Sequence, residues 1–311
     1  MSGEKVVVTG GAGFIGSHLA EELARRGYHV FILDNLSTGK QKNIEWAHGK
    51  GNVELILGSI TDLPLLRQLF HGVEYVFHMA AMTSVPLSLE NPQASHEANA
   101  TGTLNVLLAA RDNAVKRVIY ASSAAVYGDT PTLPKREDMA PSPMSPYAVS
   151  KLAGEYYCSV FQRVCAVPTV CLRYFNIYGP RQDTTSQYSA VIPRFISRLA
   201  QGQTPVIFGD GEQTRDFAFV KDAVAANIMA MERGVSGTFN IGGGTSIQIN
   251  ELARLTIQLL GSKVEPVYDL PRPGDIKHSL ADISRARVFG YQPAYSLVEG
   301  LKETIDSLRH D

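Results

Sequence analysis

The run SPYAVSKLAGEYY, Ser145–Tyr157, sets Tyr147 four residues before Lys151. Residues at i and i+4 share one face of a helix, and Pro146 suits a helix's first turn. A free phenol, with a pKa of about 10, is a poor base at neutral pH. An ammonium at about 4 Å in an intermediate dielectric is worth up to about 4 kcal/mol, enough to lower that pKa by about two or three units. Such a phenol could take a proton from a substrate. In an arbitrary chain, the same spacing more often marks a half-buried tyrosine beside a surface lysine. Ser123, in YASSAAVYG, ends a strand-like run and offers a hydroxyl that can bond an oxygen as it becomes a carbonyl. Alone, it reads equally as a capping serine.

What surrounds these residues decides between the readings. KVVVT (5–9), YHVFIL (28–33), VELIL (53–57), EYVFH (74–78) and RVIYAS (117–122) read as strands, with a sixth at TVCLRYFN (169–176). Most are apolar on both faces, as in a parallel sheet covered by helices. Helices are expected over 15–26, 63–70, 93–113 and 146–163. This alternation predicts an α/β fold built on a doubly wound parallel sheet. Beyond Asn176 the rhythm breaks into shorter elements, which predicts a smaller α/β substrate-binding domain. The expected division assigns 1–176 to a dinucleotide-binding domain, with 214–242 returning to it. Residues 177–213 and 243–311 then form the second domain.

Between the first strand and the first helix stand Gly10, Gly11, Gly13 and Gly16, in TGGAGFIG. Glycines there let a pyrophosphate approach the backbone, and the helix N-terminus offers it free N–H groups and partial positive charge. Asp34 ends the second strand, 18 residues after Gly16, where a carboxylate accepts bonds from a ribose. It would repel a 2′-phosphate, so NAD is expected rather than NADP, although Lys40 and Lys42 nearby would suit the phosphate.

The bulk composition narrows the field. Of 311 residues, 44% are hydrophobic and 19% charged, and the net charge is −1, which gives no electrostatic case for nucleic acid or an anionic membrane. Cys158, Cys165 and Cys171 lack metal-ligand spacing, so no metal is expected and they read as reduced thiols of a cytoplasmic protein. MSGEK leads directly into a strand, so no signal peptide is expected, and no apolar run is long enough to span a bilayer.

TGGAGFIG, HMAA (78–81), NATGT (99–103), SSAAVYG, YAVSK and RYFNIYGP occur in this order. With them the chain resembles the extended short-chain dehydrogenase/reductases over nearly its whole length, and within them the UDP-hexose 4-epimerases with a Rossmann sheet. The resemblance implies that Tyr147 is the catalytic base, that Lys151 grips the nicotinamide ribose and that Ser123 assists. It extends the NAD contacts to Phe14, Ile15, Asn35, Ser37, Thr38, Gly39, Ser59, Ile60, Ala80, Ala81, Asn99 and Tyr174. Ser59 is a departure, because the family usually carries an aspartate for the adenine there. The implied sugar-nucleotide residues are Ser84, Asn176, Val191, Phe208 beside the uracil, Arg215 and Arg272 on the diphosphate, Asp275 and Ser279. Guanidinium suits the diphosphate because it pairs oxygens two at a time and stays charged.

The implied reaction is C4 epimerisation of a UDP-hexose through a transient 4-keto sugar, by a homodimer. Related 4,6-dehydratases carry an Asp-Glu pair where this chain has Ala124 and Ala125, and alanine supplies neither acid nor base. The absence of an acid there also weakens a UDP-glucuronate decarboxylase reading. A UDP-glucuronate epimerase, a true dehydrogenase and a non-catalytic NAD-binding scaffold are the remaining rivals. A serine at position 279, where a bulky aromatic would narrow the sugar pocket, implies room for a 2-acetamido sugar.

Overall fold

The computed structural model describes residues 3–184, 190–271 and 276–309. Its strands are β1 (Lys5–Thr9), β2 (His29–Asp34), β3 (Val53–Leu57), β4 (Tyr75–His78), β5 (Arg117–Ser123) and β6 (Thr169–Tyr174). They continue with β7 (Asn176–Tyr178), β8 (Val206–Phe208), β9 (Thr214–Arg215), β10 (Phe217–Phe219), β11 (Gly237–Ile241), β12 (Ile247–Gln248) and β13 (Val267–Asp269). The helices are α1 (Phe14–Arg25), α2 (Leu63–Leu69), α3 (Val85–Glu90), α4 (Pro92–His96) and α5 (Gly102–Asp112). Then come α6 (Pro146–Val164), α7 (Val191–Ala200), α8 (Val220–Glu232), α9 (Ile249–Leu259) and α10 (Leu297–Arg309).

Seven strands form one sheet in the order β11–β6–β5–β4–β1–β2–β3, every pair parallel. The first six follow the 3-2-1-4-5-6 order of a doubly wound Rossmann sheet, so the fold class expected from the sequence is the one observed. The apolar runs account for it. Val6 and Val8 of β1 face one layer, with α1 and α8, while Val7 faces the other, with α2, α5 and α6. Side chains alternate across a strand, so only strands apolar on both faces can lie between two helical layers. Because all strands run the same way, their carboxyl ends share one edge, and the chain reverses its winding there between β1 and β4.

The helix expected over 93–113 is present without a gap, but it is not α-helical throughout. α4 gives way to one wider turn, Glu97–Thr101, closed by the Gly102 N–H on the Glu97 carbonyl, and α5 follows. Such π-turns often mark a site where a side chain must be re-aimed; here the turn carries Asn99. Past β6 the chain builds three two-stranded sheets, β7–β10, β9–β12 and β8–β13. A third apolar core gathers Phe195, Ile207, Phe219, Leu252 and Leu301 around them.

Candidate active site

At the switch point the turn after β1 is shaped by close approaches. Gly10 has φ +68°, and a Cβ there would stand 2.7 Å from the Ala80 backbone; at Gly16 it would stand 2.1 Å from the Gly10 carbonyl oxygen. Only glycine fits where β1, β4 and α1 converge in this way. Gly13 caps α1 without a side-chain hydrogen bond, so the first N–H groups of a 12-residue helix stay open to an anion, with Phe14 and Ile15 at its head. Asp34 is buried; its oxygens accept the N–H groups of Ala12 at 2.9 Å and Leu36 at 2.8 Å. A carboxylate has about four lone-pair sites, so it can still take ribose hydroxyls.

Asn35, Ser37 and Thr38 are exposed just beyond, and Gly39 lies against the Asp34 carboxylate. Lys40, weighed for a 2′-phosphate, instead pairs with Asp183 at 2.7 Å. The Ser59 hydroxyl bonds that of Thr61 at 2.8 Å and accepts the Thr61 N–H, while Ile60 is buried against Gly102. Ala80 and Ala81 follow β4. The Tyr174 hydroxyl accepts from the Asn227 amide at 2.6 Å and donates to the Met79 sulfur at 3.7 Å. An uncapped helix start, a turn that tolerates no side chains and a buried carboxylate one strand away fit a dinucleotide.

Ser123, Tyr147 and Lys151 meet at the carboxyl edge of β5. α6 starts beside it because the Ser145 hydroxyl accepts the Ala148 N–H at 3.2 Å and Pro146 occupies the first turn. Tyr147 is buried, with the Ser123 hydroxyl near enough to act on its phenol. Ser123 also caps the short turn that follows it, accepting the Ala125 N–H at 3.2 Å. Lys151 is buried too, and its ammonium donates to the Ala121 carbonyl at 2.8 Å over the Tyr120 ring.

The electrostatics differ from the expectation drawn from spacing. Burial pushes the phenol's pKa up, and the nearby Ser123 hydroxyl pulls it down; the ammonium is turned to the Ala121 carbonyl. Burial also brings Lys151 down to about 8. Sharing a helix face therefore does not by itself set the ammonium against the phenol.

The remaining positions fall into two groups. Asn176 donates its side-chain amide to the Asp216 carbonyl at 2.8 Å, Arg215 lays its guanidinium on the Thr214 carbonyl at 3.0 Å, and the Ser279 N–H reaches the same carbonyl at 3.1 Å. These three surround one short stretch, 214–216. Phe208 lies under the Arg194 guanidinium, 4.7 Å from its ring centre, with Val191 one turn earlier on α7. Ser84 caps α3, which packs on α6. Arg272 and Asp275 lie outside the described residues.

Beneath the site lie Asn99, expected as an NAD contact, and Glu155, Arg173 and Asp216, which carried no role in the sequence reading. Asn99 spends its amide on the Met82 backbone (2.7 and 3.0 Å) and on Ser150 (2.9 Å), bracing the chain after β4 against α6. Glu155, one turn beyond Lys151, pairs two-pronged with the buried Arg173 at 2.8 and 2.7 Å and accepts from Ser122 at 2.5 Å. An arginine inside the apolar run TVCLRYF was the available signal, because a charge there must be paired. Asp216 is fully buried and accepts N–H groups from Gly243, Gly244 and Ala281; burial raises it to about 6.

This geometry agrees with comparisons to known proteins. Residues 6–242 match the NAD dependent epimerase/dehydratase family, and the chain belongs to that family, with NAD as its cofactor. It is 37% identical over 310 residues to a UDP-glucose 4-epimerase of Mycolicibacterium smegmatis, covering 98% of this chain and 99% of that one. It is 38% identical to a UDP-N-acetyl-alpha-D-glucosaminuronate decarboxylase of Bacillus cytotoxicus, with 98% of both covered. Among solved structures, a UDP-N-acetylglucosamine 4-epimerase from Methanobrevibacter ruminantium, in complex with UDP-N-acetylmuramic acid, superposes with a TM-score of 0.96. That structure shares 41% identity and covers 100% of this chain and 99% of its own. The relatives are thus extended short-chain dehydrogenase/reductases acting on UDP-sugars, and this chain is an enzyme of that kind.

Proposed function

We propose that the chain is a UDP-hexose 4-epimerase acting on UDP-glucose and UDP-galactose, and on their 2-acetamido counterparts. The observation that carries this reading is the buried Tyr147 phenol beside Ser123 at the edge where the dinucleotide turn lies, with alanines at 124 and 125. Tyr147 takes the proton of the sugar 4-hydroxyl, and Ser123 bonds the same oxygen as it becomes a carbonyl. When held by the turn after β1 and by Asp34, NAD would supply the acceptor and donor of the C4 hydride, and its positive charge would favour the phenolate that burial opposes. The 4-keto sugar turns over while Asn176, Arg215, Arg272 and Phe208 hold the nucleotide, so the hydride returns to the opposite face of C4 and Tyr147 gives the proton back to the 4-oxygen. Anchoring by the UDP end supplies binding energy remote from the reacting carbon.

A decarboxylase reading has support from two relatives, but an acid is missing after Ser123. Ser279 is assigned the gate of the sugar pocket, with room for an acetamido group. The protein is further read as a cytoplasmic homodimer. Val149, Tyr156, Val160 and Val164 recur at steps of seven, four and four residues along α6 and are 51–78% exposed, an apolar stripe suited to a second copy. The division into a dinucleotide domain and a nucleotide-sugar domain belongs to this reading. The direct test incubates purified protein with UDP-glucose or UDP-N-acetylglucosamine and no added cofactor. The galacto product is expected from both; free NADH accumulating, or carbon dioxide from UDP-glucuronate, would replace this reading with a rival.

A further inference from the structure

A chain of hydrogen bonds runs under the site, from the cofactor strand to the helix that bears the phenol. The Ala80 N–H donates to the Thr9 hydroxyl at 3.2 Å, and that hydroxyl meets His78 Nδ1 at 2.8 Å. On the other side of the ring, Nε2 meets the Thr103 hydroxyl at 3.0 Å. Thr103 donates to the Asn99 carbonyl at 2.5 Å, the Asn99 amide donates to Ser150 at 2.9 Å, and Ser150 donates to the Tyr147 carbonyl at 2.8 Å. His78, Thr9, Thr103, Asn99 and Ser150 are all essentially buried.

Counting protons fixes the ring's state. Thr103 has one hydroxyl proton and spends it on Asn99, so His78 Nε2 must be the donor to Thr103. Thr9 accepts from Ala80, and its own proton is then available to His78 Nδ1. Both nitrogens are satisfied only in the neutral Nε2–H tautomer. Burial and the nearby Lys151 charge, which bring His78 down to about 3, oppose a second proton.

We propose that His78 is a positioning residue: as the neutral Nε2–H tautomer it couples the Ala80 backbone, where the cofactor lies, to the Asn99 turn and thereby to Tyr147. The role rests on Tyr147 being the reacting group. The strands supply a floor, but their ladders do not reach α6, and this chain of bonds does. The ring fits because its two nitrogens accept on one side and donate on the other, across a span no hydroxyl covers.

The test compares His78→Phe, His78→Gln and Thr103→Val with wild type. The readouts are kcat and KM for UDP-glucose, NAD retained per subunit after gel filtration, and melting temperature. Phe removes both bonds, whereas the Gln amide can take the place of Nε2–H and donate to Thr103. In His78→Phe and Thr103→Val, kcat should fall about tenfold with KM within about twofold and NAD retained, because misplacement acts on the reacting geometry. His78→Gln should recover most of that loss. Should His78→Phe fail to fold, Thr103→Val carries the test, because it removes one oxygen at constant shape. Wild-type kcat in Thr103→Val, or a kcat loss that tracks lost NAD, would overturn the proposal. Turnover surviving in Tyr147→Phe would instead overturn the reading of the site.

Discussion

Tyr147 and Lys151 were legible from their spacing, but what they do to each other was not. The spacing puts both on one helix face; the ammonium turns to the Ala121 carbonyl, and burial governs the phenol. A free backbone carbonyl near a buried lysine is invisible in a sequence. His78, Thr103 and Asp216 escaped for the same reason, since their partners lie 25 to 69 residues away. In the proposed function, substrate range turns on Ser279. Its N–H is tied to Thr214, so its side chain can be exchanged without breaking that bond. Ser279→Tyr should lower kcat/KM for UDP-N-acetylglucosamine by about tenfold or more and leave UDP-glucose within about threefold, measured with both sugars in parallel. Equal effects on the two would remove the gate.

At the scale of elements, α6 does most of the positioning. Gly154 lets it lie against β5: a Cβ there would stand 2.3 Å from the Tyr120 hydroxyl, which itself donates to the Lys151 carbonyl at 3.3 Å. Gly154→Ala therefore pushes the helix off the sheet at the turn that carries Lys151. Overpacking of this kind costs about 1–3 kcal/mol, which thermal unfolding would register as a lower melting temperature; an unchanged one would mean the helix is not clamped there. The strands of the large sheet were readable because continuous apolar runs have few other uses. The wider turn inside the 93–113 helix was not, because the Asn99 side chain it carries finds its partners at Met82 and Ser150, distant in sequence. The later two- and three-residue strands are too short to show a period.

Across the whole molecule, Asp216 joins the exit of β11 at Gly243 and Gly244 to the segment around Ala281, beside Arg215 and Asn176. Its pKa is raised from 3.8 to about 6, so the folded protein holds this proton after the unfolded chain has released it. Stability from this group is therefore complete below about pH 4 and falls as pH rises to about 6, by about 3 kcal/mol in all. In Asp216→Asn that fall disappears. The unfolding free energy of the variant minus that of wild type, from urea titrations, should rise between pH 4 and pH 7; a constant difference would deny the buried ionisation. The α6 stripe makes a prediction about assembly. Val160→Asp should convert a dimer to a monomer in sedimentation velocity, whereas a wild type that sediments as a monomer would leave the stripe without its second copy.

The central claim is that the phenol of Tyr147 moves the proton of the sugar hydroxyl. Turnover of UDP-glucose by Tyr147→Phe, with NAD content measured on the same sample, tests it most directly. The account predicts a loss of about 10²- to 10⁴-fold in kcat with NAD still bound; near wild-type turnover in that variant would contradict it.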